Sequence, residues 1–254
     1  MKNKPFTPVK SADRVFDILE ALVKHSDGLH IRELGKKLNI ADSSIHALVH
    51  TMLQRRYLKM DESRKLFLGS KFYQFSNMMS ATPLVPIAKP IMKQIKSKFN
   101  ENVHLAVLDG LDIVYIAFEE STNPLRYHME VGRAQSAYIT AVGKMLLSAH
   151  SNEQIRLLYE GYPFEKLTAN TITSVDELIA ELERIRKRGY SIDDAESYEA
   201  CKCFAAPIYD STGQMIASMS ICIPFVTAQE KREPEMIAAI QEATNRITSL
   251  LKDN

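Results

Sequence analysis

Two short amphipathic segments separated by Asn39-Ile40-Ala41 constrain this chain more than any other feature. In the first, Ile31, Leu34 and Leu38 share one side; in the second, which begins at Asp42 or Ser43, Ile45, Leu48, Val49, Met52 and Leu53 recur at helical spacing. Short helices joined by so tight a turn form a helix-turn-helix. Ahead of them a longer helix is predicted, with Ser11 as N-cap, an apolar stripe of Val15, Ile18, Leu19, Leu22 and Val23, and a stop at Asp27-Gly28. Behind them, Tyr57-Leu58-Lys59-Met60 and Lys65-Leu66-Phe67-Leu68 read as two strands around the polar turn Asp61-Glu62-Ser63-Arg64. That hairpin makes a wing.

In such a motif the second helix offers its exposed residues to major-groove base edges while its apolar stripe holds it to the first. The outward positions are Ser43, Ser44, Ala47, His50, Thr51 and Gln54, with His46 beside them. Cations suited to phosphates surround them: Arg14, Lys36, Lys37, Arg55, Arg56, Lys59, Arg64 and Lys65. Charge agrees, since residues 1–75 hold 14 Lys and Arg against 8 Asp and Glu, net +6, whereas residues 76–254 hold 18 against 23, net −5. A basic head on a mildly acidic body points to a polyanion at the head alone. A solvated basic face, or a head that contacts protein, is the competing reading. His46 and His50 stand four residues apart, as metal ligands can, but no third ligand lies nearby and no metal or cofactor is expected.

From Lys71 to Ala81 a short helix carries Phe72, Phe75, Met78 and Met79 and then meets Pro83 and Pro86. We read a winged head over 1–70, a linker helix over 71–82 and a second domain over 83–254. The second domain alternates helix and strand. Helices are expected around Ile87–Phe99, Ala141–Ala149, Glu153–Glu160, Val175–Arg188 and Pro234–Leu251, with a capping box at Ser174 and Glu177 and a stop at Gly189. Strands fit Val103–Val107, Ile113–Phe118, Cys203–Tyr209 and Gln214–Ile223. No apolar run approaches the roughly 18 to 20 residues that span a bilayer, and no secretory signal is visible, so a cytoplasmic protein without a membrane partner is expected. Cys201, Cys203 and Cys222 make neither an even disulfide set nor paired zinc clips and read as reduced thiols.

The runs Ser11–Glu20, Ile31–Leu34 and Ser43–Leu48 resemble the winged-helix domain of the IclR family of bacterial transcriptional regulators. Val131-Gly132-Arg133, Thr140–Leu147, Arg188–Glu196 and Cys203–Gly213 are similar, in order, to landmarks of that family's effector domain. The resemblance implies an α+β chain: a winged helix-turn-helix joined by a linker helix to a GAF-like α/β effector-binding and oligomerisation domain. It also implies a homodimer, pairing into a homotetramer, that binds a double-stranded operator and a small organic acid, as repressor or activator of a catabolic operon. By position, the effector's carboxylate would meet the amides of Ala141 and Val142, with Asp193, Cys203, Ser220 and Cys222 lining the pocket and Tyr127 and Cys201 as neighbouring walls. Two features depart from the pattern. Cys222 stands where the family has a second serine, and the reading helix has Asp42 and Ala47 where Lys and Arg are common.

Read without the family, Cys203 and Cys222 are small core residues, and Asp193-Asp194 is a solvated loop. The rival function is an enzyme with Cys203 or Cys222 as nucleophile and His104 or His128 as base. No glycine-rich phosphate loop, GxSxG, HExxH or CxxC supports catalysis, and an enzyme leaves the basic head unexplained.

Overall fold

The computed structural model describes residues 8–79, 83–123, 130–225 and 232–253, with the backbone alone for 76–79. The chain divides into two units, 1–81 and 82–254.

In the first unit, α1 (Lys10–Val23), α2 (Ile31–Lys37) and α3 (Asp42–Gln54) enclose a core of Ile18, Leu22, Leu34, Ile45, Val49, Met52, Leu58 and Leu66. The start of α1 differs from the sequence reading. Val9, not Ser11, is the N-cap, and no side chain caps the first turn. Val23 also leaves the expected stripe, being 63% exposed, because the stripe turns toward the core at Ile18, Ala21 and Leu22. The wing has three strands rather than two. A two-residue strand, β1 (Leu29–His30), pairs with β3 (Lys65–Leu68), which pairs with β2 (Leu58–Met60). So short a strand carries no alternation of its own and forms only because β3 offers it an edge. The last element, α4 (Lys71–Met79), sets Phe72 and Phe75 against Tyr57 at 5.7 and 5.9 Å between ring centroids.

The second unit is a six-stranded antiparallel sheet between two helical layers. Its order is β6 (Ala134–Ser136), β5 (Asp112–Glu119), β4 (Asn102–Asp109), β9 (Met215–Pro224), β8 (Cys201–Tyr209) and β7 (Ser191–Asp194). On one face α5 (Leu84–Phe99) and α9 (Glu233–Lys252) bury Val103, Leu105, Phe204, Ala206, Met219, Ile221 and Ile223. On the other lie α6 (Ala141–Leu147), α7 (Asn152–Leu158) and α8 (Val175–Arg188). Because side chains alternate across a strand, the residues between those apolar ones, His104, Cys203, Ser218, Ser220 and Cys222, point to the α6 side.

Gly189 and Gly143 are required by geometry. Gly189 ends α8 in the left-handed region at φ +78°, and a Cβ on Gly143 would stand 2.2 Å from the Ala137 carbonyl oxygen, so α6 can seat on the preceding turn only with glycine there. The expected capping box of α8 is half formed. Ser174 accepts from the Glu177 amide at 3.2 Å, but the Glu177 carboxylate turns to the amide of Thr173 at 2.8 Å. Among the described residues no helix is long and apolar enough to cross a membrane.

Candidate functional site

In the head, α3 buries Ile45, Val49 and Met52 and leaves Ser43, His46, Ala47, His50, Thr51 and Gln54 exposed, with Ser44 half-buried. Arg14 is half-buried and shares a shallow groove with Ser44, Ala47 and Leu48, which brings the start of α1 beside this face. Lys36, Arg55, Arg56 and Arg64 are exposed. Three of the candidate cations are engaged within the head: Lys37 Nζ lies 3.1 Å from His25 Nε2, Lys65 Nζ donates to the Asp27 carbonyl at 3.1 Å, and Lys59 Nζ stands over the Phe67 ring, 5.8 Å from its centroid. The wing turn is held by Asp61, whose carboxylate accepts from the Lys65 amide at 2.8 Å and from the Ser63 hydroxyl at 2.9 Å. The Lys65 amide, above all, holds the Asp61 carboxyl below its ordinary value. At the tip, Arg64 sits in the left-handed region at φ +62°.

In the second unit Ala141, Val142, Asp193, Cys201, Cys203, Ser220 and Cys222 line one cavity of about 70 Å³. They come from α6 and from three neighbouring strands, β7, β8 and β9, with Cys203 directly opposite both Asp193 and Cys222. Tyr127 and His128 lie outside the described residues. Six further wall residues escaped the sequence reading of the pocket: His104, Tyr115, Gln135, Thr140, Ser197 and Tyr198. The alternation Asn102-Val103-His104-Leu105 signals that His104 faces away from the aliphatic side, but only the sheet order shows what it faces.

The loop reading of Asp193-Asp194 is corrected. Both lie on β7, and Asp193 is only 2% exposed. Its carboxylate receives the Glu196 amide at 2.7 Å and both the amide and hydroxyl of Ser197, so it folds the loop that carries Ser197 and Tyr198 over the cavity. Burial raises its pKa above the ordinary range, against the opposing pull of Ser197, Lys144 and the loop amides. Behind it, fully buried Lys144 of α6 pairs with Glu196. Loss of water outweighs that ion pair, and Glu196 is pushed up to about 7. Thr140 caps α6 by accepting from the Gly143 amide at 3.0 Å, ahead of the Ala141 and Val142 amides.

The thiols form a cluster in which Cys222 contacts both of the others. Its hydrogen bond and burial raise Cys201; Cys203, which the same partner draws down, is carried up by burial; Cys222 is well up, its bond to Cys201 outweighed by Cys203 and burial. A catalytic thiolate needs the opposite environment. Desolvation lowers His104 to about 4 and keeps it neutral. Among the described residues no cluster of His, Cys, Asp and Glu could hold a metal ion.

The comparisons identify the class. Residues 11–62 match the IclR helix-turn-helix domain, and residues 76–249 match the bacterial transcriptional regulator IclR C-terminal domain. The HTH-type transcriptional regulator KdgR of Escherichia coli is 31% identical over 243 residues, covering 95% of this chain and 92% of that protein. Among solved structures, Thermotoga maritima IclR superposes with a TM-score of 0.79 at 25% identity, covering 96% of this chain and 99% of that one. An IclR homolog from Microbacterium hydrocarbonoxydans, complexed with 4-hydroxybenzoate, reaches 0.81 at 20% identity, over 96% and 100% of the two chains. This chain belongs to the IclR family. It is a transcriptional regulator with a helix-turn-helix DNA-binding domain and a C-terminal effector domain.

Proposed function

We propose that this protein binds a palindromic operator as a homodimer or larger homo-oligomer and that a small organic acid in the cavity beside α6 changes its output at a catabolic operon. The supporting observation is that residues from α6, β7, β8 and β9, brought together only by folding, line a single small cavity furnished with hydroxyl, thiol and amide groups. The 4-hydroxybenzoate complex of the Microbacterium homolog, an organic acid on the same fold, supports that ligand class. An effector acts by binding two states of the regulator unequally, typically by about 1 to 3 kcal/mol.

Val9, Phe16 and Val23 support self-association. They recur every seven residues from the N-cap of α1 to its last residue and are 69%, 61% and 63% exposed, an apolar line that a second copy could cover. Light scattering of the wild type and of Phe16→Glu tests this, and a monomeric wild type at micromolar concentration refutes it.

The DNA reading is tested by fluorescence anisotropy over a salt series with genomic fragments upstream of the gene and its neighbours. Arg55→Ala and Arg64→Ala should weaken all duplexes alike and flatten the salt slope by about 0.9 log units per lost phosphate contact. Ser44→Ala and His50→Ala should change which duplex is preferred. Binding without a salt slope would overturn the reading.

A further inference from the structure

The reading helix has an unusual composition for its task. From Asp42 to Gln54 it holds neither Lys nor Arg. Opposite its buried Ile45, Val49 and Met52, the exposed Ser43, Ala47, His50 and Gln54 follow one line along the axis, at i, i+4, i+7 and i+11. The Thr51 hydroxyl on the edge of that line donates to the Ala47 carbonyl at 2.9 Å, so its proton is committed to the helix itself. Two-pronged recognition of guanine in the major groove requires Arg or Lys, and here the cations lie off the helix, where phosphates are reached. At the centre of the line Ala47 presents a methyl group and no polar atom. Leu48 beside it is apolar as well. A guanine or cytosine edge pressed against this spot would lose water and gain no partner. The base edge that matches it is the 5-methyl group of thymine.

We propose that Ala47 reads a thymine methyl and that the half-site of this regulator is built on A·T pairs, with Gln54 suited to adenine at the far end of the line. The inference rests on the proposed DNA reading and names the base class recognised by that surface. It is tested by selecting bound duplexes from a random library with the full-length protein, then replacing each thymine of a selected half-site singly with uracil, which removes the methyl alone. One position should weaken wild-type binding about fourfold, the worth of one methyl taken from water. Ala47→Gly should bind the thymine and uracil duplexes equally. Should glycine loosen the helix, Ala47→Arg, a substitution on the exposed face, should move selection at that same position to guanine and leave the others unchanged. The proposal is overturned if no thymine methyl matters to the wild type, or if Ala47→Arg selects the same sites. A library with no enrichment at all would remove the DNA reading itself.

Discussion

The Ser220 hydroxyl stands 3.4 Å from Nδ1 of His104, across the β4 and β9 pair and on the side of the sheet that holds the cavity. The two residues resemble part of a hydrolytic triad, but His104 Nε2 has no partner among the described residues and no carboxylate orients the ring. The ring is instead packed as a wall, stacked on Phe118 at 5.2 Å and tilted on Tyr115 at 5.5 Å. Folding lowers the pKa of His104 from 6.5 to about 4, so the unfolded chain binds the extra proton first on acidification. Its contribution to stability is complete above pH 6.5 and is lost as the pH falls toward 4. Urea unfolding at pH 7 and pH 4.5 should show a larger acid loss for the wild type than for His104→Gln, by at most about 3 kcal/mol. Equal losses would show that the buried ring does not resist protonation.

Lys144 and Glu196 face each other where α6 meets the loop after β7. Lys144→Met takes the cation from Glu196, which burial already pushes up to about 7 and which then takes up a proton, so the cost should fall below the roughly 3 to 5 kcal/mol of a stranded charge, and Lys144→Met with Glu196→Leu should recover much of it. Chemical denaturation of the two variants checks it. A single variant as stable as the wild type would show that the pair contributes nothing to seating α6.

Asp61 tests the wing. On charge alone, removing an acid from a DNA-facing turn should strengthen binding. Because Asp61 holds the amide of Lys65 and the hydroxyl of Ser63, Asp61→Ala should instead release the turn that positions Arg64 and weaken duplex binding severalfold. Anisotropy at fixed salt decides between the two signs.

The cavity should respond to ligand. In a thermal-shift screen of small organic acids, a compound at about 100 times its dissociation constant adds roughly 2.7 kcal/mol to folding. Ser220 is 3% exposed and lines the cavity, so Ser220→Leu should abolish the ligand shift while duplex binding by the ligand-free protein persists. A wild-type ligand response in this variant would place the effector elsewhere.

Local pattern alone determined much of this protein. The spacing of Ile45, Val49 and Met52 defines the inner side of the reading helix, and with it the outer side. Gly189 stops α8, and the alternation of Met219, Ile221 and Ile223 with Ser218, Ser220 and Cys222 divides β9 into an aliphatic face and a polar one. Such periodicities span a few residues, so they are legible without knowing the fold. What the polar face meets was decided only by tertiary structure. Ser220 lies 116 residues from His104, and Lys144 lies 52 from Glu196. Asp193-Asp194 has the composition of a loop, yet forms a strand that buries Asp193 and leaves Asp194 exposed, because β8 supplies its ladder and the loop at Glu196 and Ser197 satisfies the Asp193 carboxylate. Sequence spacing carries no term for contacts over such distances; strand order and the balance of desolvation against new partners set them, and both exist only once the sheet has closed.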